Sequence, residues 1–190
     1  DTNALNLYYD GTTDNTQGPR VYTPSAPIET YTACSFSCWI KSHELGTLAT
    51  IFSIGTGDAN HIHVAVSGSG DVAWSYEVEA GGTHRYETTD AEISAVNTWY
   101  HVGVVCNNSE SNNYDKIKIY VNGAFEAVDT STQSGTVEST TPDESQFDIG
   151  LNQHGGRKWP GWIDDFLIYD DILTADEMDR IYNAGKRSHR

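Results

Sequence analysis

The stretch that decides the fold is Gly161-Trp162-Ile163-Asp164-Asp165-Phe166-Leu167-Ile168-Tyr169. Its apolar residues predict a strand against a core, yet Asp164 and Asp165 place two adjacent carboxylates near the start of that strand. Burying charge is costly unless a cation or hydrogen bonds compensate it, so a bound calcium ion would explain the pair. The pair is also open to a simpler interpretation, in which both residues cap turns or accept backbone hydrogen bonds.

A short helix is predicted after this strand, over residues 174–184. Thr174 can serve as its N-cap, and Glu177, three residues on, completes a capping box. Gly185 suits the left-handed position that often follows a helix. A helix of this length can lie on a sheet but does not build a core, and we expect the tail 186–190 to be frayed.

Apolar and polar residues alternate with a period of two through the rest of the chain, which is typical of half-buried strands. Strands are predicted over residues 5–10, 31–41, 48–54, 60–67, 71–79, 83–89, 98–106, 115–121, 124–129, 145–151 and 162–169. About eleven short strands with no helix between them predict an all-β fold of two packed antiparallel sheets. Trp39 and Trp99 lie on central strands of this arrangement, so we expect them in the core.

The turns support one domain that spans residues 1–190. Asn122-Gly123 separates two of the predicted strands, and both residues tolerate the positive φ of a type I′ hairpin turn. Residues 67–71 predict a second turn. The polar stretches 107–113 and 129–145 are predicted to be exposed loops, and neither is long enough to indicate another domain.

Composition excludes several classes of partner. The chain has 11 basic and 27 acidic side chains, so its formal charge of −16 repels nucleic acid and anionic lipid. No apolar run approaches the roughly 20 residues that a membrane span needs, so membrane insertion is not expected. The chain begins at Asp1 without a signal peptide, which favours a processed module linked to other domains of a larger protein.

Several segments, in this order, resemble the concanavalin A-like lectin/glucanase superfamily and especially its laminin G-like, pentraxin-related branch. They are residues 7–11, 36–41, 99–105, 117–123, 149–151 and 161–169, followed by the helix. The resemblance covers most of the chain. It implies a two-sheet antiparallel jelly-roll sandwich with one short C-terminal helix, in an extracellular, cell-surface or virion protein.

The same resemblance implies a structural calcium ion. Asp10 and Asp164 match acidic positions on the first and last strands, which lie side by side in that fold. Asp165 is a weaker match, and the carbonyl of Gly11 can add a backbone ligand. Calcium takes about 6 to 8 oxygen ligands, so these groups with water would suffice.

Glycan binding is common in the superfamily. It needs aromatic rings that pack against the C–H faces of a sugar and polar groups that form hydrogen bonds with its hydroxyls. The loop at 152–160 offers His154, Arg157 and Trp159, and its two glycines allow an irregular, exposed shape. Trp159 can equally pack on the rim of the sandwich.

Further candidates lie on two predicted strands. His61 and His63 share one strand face, so they can line a concave sugar-binding face. They also have a spacing that can hold zinc, although no third Cys or His ligand is near in sequence. Trp74, Tyr76 and Arg85 are additional candidates, but Trp74 and Tyr76 alternate as core residues would.

Catalytic residues are not predicted. Glycoside hydrolases of the superfamily carry a Glu-x-Asp-x-(x)-Glu strand, but Glu77-Val78-Glu79 is followed by Ala80 and Gly81, so the third carboxylate is missing. Residues 60–63 only faintly resemble a Gln-x-His lyase motif. The first interpretation is a non-catalytic, calcium-stabilised carbohydrate-binding module. The alternatives are a structural or protein-interaction module, or a polysaccharide-active hydrolase or lyase.

Three cysteines leave at least one unpaired, so the chain is not a disulfide scaffold. The resemblance to pentraxins suggests that strand 99–106 pairs antiparallel with residues 34–41. This pairing puts Cys34 opposite Cys106, which makes a bridge between them a hypothesis, although pentraxin cysteines lie at other positions.

Overall fold

The computed structural model describes residues 5–6, 21–23, 33–55, 61–78, 82–134, 146–152 and 157–190. The strands are β1 (Leu5–Asn6), β2 (Val21–Thr23), β3 (Ala33–Ser42), β4 (Ala49–Ile54), β5 (His61–Val66), β6 (Val72–Val78), β7 (Gly82–Thr88), β8 (Trp99–Asn107), β9 (Ile117–Val121), β10 (Ala124–Glu126), β11 (Val128–Ser134), β12 (Phe147–Ile149), β13 (Leu151–Asn152), β14 (Arg157–Lys158) and β15 (Gly161–Tyr169). The helices are α1 (Asn113–Lys116) and α2 (Ala175–Gly185). No helix in these ranges is long and apolar enough to cross a membrane.

The strands form two large antiparallel sheets that pack as a sandwich. The six-stranded sheet has the order β1-β15-β3-β8-β9-β10, and the seven-stranded sheet has the order β11-β7-β6-β5-β4-β12-β2. A small third sheet consists of β13 and β14. The predicted all-β sandwich with a short C-terminal helix is therefore confirmed, whereas the stretch predicted as a loop from residue 129 begins as part of β11.

The core lies between the inner faces of the two sheets. Alternate residues of β3, such as Phe36 and Ile40, point into it, and so do Ile62 and Val64 of β5. Phe36 meets Phe52 of β4 with ring centroids 4.8 Å apart. Each such side chain contributes about 1.5–3 kcal/mol through burial, which holds the sheets face to face.

A β-bulge in β15 explains how two adjacent carboxylates are accommodated on an apolar strand. Asp164 lies opposite Trp39, but Leu167 lies opposite Ser37, so β15 has one extra residue and forms a β-bulge. Asp165 adopts a left-handed φ of 46°, which Asp tolerates better than most residues. After the bulge, Phe166 packs against the core again. The bulge keeps both carboxylates out of the core.

Helix α2 confirms the predicted capping box, because Thr174 and Glu177 bond reciprocally. The predicted role of Gly185 is wrong. The next residue, Lys186, keeps a helical conformation, and Gly185 is the last residue of α2. A Cβ at Gly185 would collide with the indole of Trp39. Glycine is required here for close packing and not for a left-handed turn.

The tail after α2 is not frayed as predicted, because His189 anchors it. The His189 ring stacks on Trp39 with centroids 4.4 Å apart and planes 3° apart. Its Nδ1 lies 2.9 Å from the carbonyl oxygen of Gly185, and its Nε2 lies 3.1 Å from Oδ2 of Asp164. The tail therefore links α2 to the bulge of β15.

Of the two tryptophans expected in the core, Trp39 is buried and Trp99 is not, and both lie on the outer face of the six-stranded sheet. Trp39 is buried beneath Tyr182 of α2 and His189 of the tail. Trp99 is only half-buried. Both alternate with core residues such as Ile40 and Tyr100, so their outward direction follows from the strand period.

The predicted register of the cysteines is confirmed, since Cys34 lies directly opposite Cys106. The predicted bridge is absent, because all three cysteines are free thiols. A hydrogen bond with Cys34, together with burial, raises the pKa of the Cys106 thiol. Burial alone raises the pKa of Cys38. These thiols are core residues with little thiolate character.

His101 is a buried histidine on the outer face of the six-stranded sheet, next to Trp39. It is 1% exposed, and neither ring nitrogen has a hydrogen-bond partner among the described residues. Burial, with a smaller contribution from the charge of His189, lowers the pKa of His101 to about 4. The folded protein therefore keeps this imidazole neutral near pH 7.

We predict that Gly185→Ala lowers the free energy of unfolding. Overpacking against Trp39 costs about 1–3 kcal/mol, which exceeds the gain of up to about 1 kcal/mol from alanine's helix propensity. Urea denaturation measures the difference, and exposed Arg180→Ala on the same helix should change stability by less than about 0.5 kcal/mol. A stabilised Gly185→Ala protein would contradict the packing at this position.

The lowered pKa of His101 predicts that the protein loses stability on acidification. The pKa is about 4 in the folded state against an ordinary value of 6.5, so the unfolded state binds more protons between these limits. The free energy of unfolding should fall by about 3 kcal/mol as pH drops from 6.5 to 4, and this contribution is constant below pH 4. His101→Phe should remove that part of the slope in urea denaturation at a series of pH values. Parallel slopes for the two proteins would contradict a buried neutral imidazole.

Candidate functional site

A row of polar side chains crosses the seven-stranded sheet. Adjacent strands place one polar residue opposite the next in the order Asp148, Ser53, His63, Ser75 and Arg85. These five residues come from β12, β4, β5, β6 and β7, and we call them the polar row. The row joins residues that are far apart in the sequence.

The polar row faces away from the core because its members alternate with core residues. His63 lies between Ile62 and Val64, which both belong to the core. Successive side chains of a strand point to opposite faces, so His63 projects from the outer face. The same alternation on β6 puts Trp74 in the core and Ser75 in the row.

Most of the polar row is shielded from solvent. Ser53, His63, Ser75 and Asp148 are each 3% exposed or less. The Ser53 hydroxyl donates to the carbonyl oxygen of Leu151 at 2.8 Å, and the side-chain amide of Gln146 donates to the Asp148 carboxylate. Buried polar groups are costly unless they are hydrogen-bonded, so such a concentration of them is unusual on the outer face of a sheet.

The row reaches solvent at β7. The side chains of Arg85 and Glu87 are 28% and 21% exposed. Nη2 of Arg85 donates to Oε1 of Glu87 at 2.6 Å. The ion pair orients the guanidinium. Arg85 is thus the member of the row that a ligand from solvent meets first.

His61 and His63 share one face of β5, as the sequence predicts. Their rings are 5.5 Å apart and only 18° from parallel. His61 lies opposite Glu77 on β6. A zinc site is not supported here, because the described residues contain no group of three or more His, Cys, Asp or Glu that could hold a metal.

Trp159 does not form the predicted exposed platform. It is 1% exposed, belongs to the core, and its indole N–H donates to the carbonyl oxygen of Trp162 at 3.1 Å. The predicted alternative is packing on the rim of the sandwich, and the structure buries the ring more deeply, in the core. Arg157 lies half-buried on β14 opposite Asn152. His154 lies outside the described residues.

Trp74 and Tyr76 are placed on β6. Trp74 is buried in the core, where its ring meets Tyr86 edge-on at 5.6 Å, so it has no ring face for a ligand. Tyr76 lies opposite Ile62 in the strand register. Arg85 is the one of these three candidates that joins the polar row.

The four predicted calcium ligands are tested only in part. Asp10 and Gly11 lie outside the described residues. The two oxygens of Asp164 already have partners, since Oδ1 accepts the backbone N–H of Asp165 and Oδ2 contacts His189. Asp165 is exposed beside it. The described geometry gives Asp164 a structural role, and calcium binding remains a prediction.

Sequence reasoning missed Ser53, Ser75 and Asp148. Each interrupts an otherwise apolar strand at a position that alternation assigns to the outer face, which was the available signal. Their convergence depends on strand order and register, because β4, β6 and β12 meet only in the folded sheet.

The fold is similar to those of several solved proteins. A SAP-like pentraxin from Limulus polyphemus has a TM-score of 0.64 at 18% identity, with 90% of this chain and 78% of that chain covered. The CBM40 domain of the Ruminococcus gnavus IT-sialidase, bound to α2,3-sialyllactose, has a TM-score of 0.63 at 14% identity, with 80% and 82% covered. Domain 4 of AbnA, a GH43 extracellular arabinanase from Geobacillus stearothermophilus, in complex with arabinotriose, has a TM-score of 0.64 at 19% identity, with 94% and 81% covered.

Comparison with curated proteins gives no match. A laminin G-type sequence profile of the concanavalin A-like lectin/glucanases superfamily matches residues 11–179. This match spans most of the chain, and it agrees with the two-sheet antiparallel sandwich. The chain belongs to the concanavalin A-like lectin/glucanases superfamily.

Proposed function

We propose that this chain is a non-catalytic carbohydrate-binding module that holds a glycan on the outer face of the seven-stranded sheet. The polar row is the observation that carries the proposal. Its exposed end offers the Arg85 guanidinium and the Glu87 carboxylate to sugar hydroxyls, whereas Ser53, His63, Ser75 and Asp148 are buried.

The strands make the polar row rigid before a ligand arrives. Ser53, His63 and Ser75 lie on β4, β5 and β6, the central strands of the sheet, so their backbone is held on both sides. Binding groups that are already ordered cost less conformational entropy when a ligand binds. A flexible ligand such as an oligosaccharide benefits most from a site that is fixed in advance.

Two structurally similar domains support a sugar as the ligand. One is a carbohydrate-binding domain of a sialidase with sialyllactose, and the other is an arabinanase domain with arabinotriose. By their names, the first belongs to a sialidase and the second is domain 4 of an extracellular arabinanase. By analogy, we place this module in an extracellular protein with further domains.

A binding role is favoured over hydrolysis by the carboxylates. Glycoside hydrolysis commonly uses a pair of carboxyl groups on opposite sides of the scissile bond. Within the described part of the polar row, Asp148 is the single carboxylate, and the nearby Glu87 is paired with Arg85. Sugar release from a panel of polysaccharides would contradict the non-catalytic proposal.

We predict that the wild-type protein binds on a glycan array and that Arg85→Ala weakens this binding about 10- to 100-fold. A hydrogen bond to a charged group contributes about 1.5–3 kcal/mol, and 1.4 kcal/mol corresponds to tenfold in affinity. Lys118→Ala, on the other sheet, is the matched loss of a cation and should leave binding unchanged. Thermal melting verifies that both variants fold. An array without any bound glycan, or equal binding by Arg85→Ala and wild type, would exclude this site.

Calcium stabilisation is a separate part of the proposal, with Asp10, Gly11, Asp164 and Asp165 as the ligands. Calcium at 100 times its dissociation constant would add about 2.7 kcal/mol to the free energy of unfolding. Removing it with EDTA should therefore lower the melting temperature. Asp164→Asn should abolish this effect of EDTA. If Asp164 only binds His189, the variant will melt lower than wild type, and EDTA will change neither protein.

A further inference from the structure

A second row of side chains lies on the outer face of the six-stranded sheet. Lys41 of β3 is opposite Trp162 on β15 and opposite Trp99 on β8. The Lys41 Nζ lies 4.3 Å from the ring centroid of Trp162 and 4.8 Å from that of Trp99. All three residues are half-buried. We call Trp162, Lys41 and Trp99 the indole–lysine row.

The charged Lys41 ammonium contacts aromatic rings and no carboxylate among the described residues. The chain carries 27 acidic side chains against 11 basic ones, yet the Lys41 ammonium has no carboxylate partner among the described residues. Its contacts are the π-faces of two indoles, which attract a cation but do not neutralise its charge. A partly desolvated ammonium without a counterion is a strong attractor for a small anion.

The two indoles are held in place by histidines. His43 meets the Trp162 ring edge-on with centroids 4.0 Å apart, and His189 meets the Trp99 ring in the same manner at 4.8 Å. His189 is itself fixed by its contact with Asp164. The rings are therefore preordered, which lowers the entropic cost of stacking a ligand on them.

We propose that the indole–lysine row binds a sugar acid, a pyranose that carries one carboxylate. The carboxylate pairs with Lys41, and the C–H face of the ring packs on Trp99 or Trp162. This site is separate from the polar row, because the two rows lie on the outer faces of different sheets.

The indole–lysine row and the net charge of the chain together account for both parts of the proposed ligand, its single carboxylate and its apolar ring face. Inorganic phosphate would satisfy Lys41 but has no apolar face for the indoles. Polyanions, including nucleic acid and heavily sulfated chains, are opposed by the net charge of −16. A ligand with one negative charge and an apolar ring face fits both constraints.

The test compares three probes by tryptophan fluorescence and by NMR of the indole N–H groups. Methyl β-D-glucuronide, methyl β-D-glucoside and acetate are titrated into the wild-type protein, with the indole signals assigned by Trp→Phe variants. We expect the glucuronide to shift the signals of Trp99 and Trp162 and to bind at least about tenfold more tightly than the glucoside, because it adds a charge-assisted hydrogen bond. Acetate should bind more weakly than the glucuronide, because it has no ring to stack.

A pair of lysine variants isolates the charge. Lys41→Gln should remove the preference for the glucuronide over the glucoside. Lys118→Gln, which changes an outward lysine on β9 of the same sheet, should keep it. Rising salt should weaken glucuronide binding to the wild type and leave glucoside binding unchanged.

Several results would overturn the proposal. They are no binding of the glucuronide, equal affinity for the glucuronide and the glucoside, acetate binding as tightly as the glucuronide, or an unchanged preference in Lys41→Gln. The ranking of the three probe affinities on the wild type does not depend on the folding of any variant. Arg85→Ala should leave glucuronide binding intact, so failure of the polar row and failure of this site can be told apart.

Discussion

The register of β3 between β8 and β15 is the constraint on which the rest of the structure depends. It directs Phe36, Cys38 and Ile40 into the core and turns Trp39 and Lys41 outward. A shift of one residue would reverse all of these directions. Because each large apolar side chain contributes about 1.5–3 kcal/mol on burial, the shifted register is far less stable. The core thus fixes what the outer face can present.

The outer face of the six-stranded sheet is organised around Trp39. Helix α2 reaches this indole because Gly185 has no side chain, and the tail returns so that His189 stacks on the same ring. His189 also contacts Asp164 in the bulge of β15. The adjacent carboxylates of β15 therefore have a structural explanation, in which the bulge keeps them outside the core and one of them anchors the tail.

Local patterns in the sequence predict much of this fold. Period-two alternation locates most strands, and Asn122-Gly123 adopts the positive φ values of 52° and 82° that its hairpin requires. The same patterns do not say which sheet face is covered. Trp159 is in the core for reasons that depend on distant strands. The bulge at Asp165 inserts a residue that alternation alone does not reveal.

The candidate site is predictable to a smaller extent than the fold. Alternation identifies the shared face of His61 and His63, but the polar row also needs the order of five strands. The most direct test of the central claim is an NMR titration of the isotope-labelled protein with its strongest glycan from the array. The account predicts backbone amide shifts centred on Ser75 and Arg85, with Lys118 and Met178 unaffected. Shifts confined to β8, β9 or α2, with none on β6 or β7, would contradict the assignment of the seven-stranded sheet as the ligand-binding face.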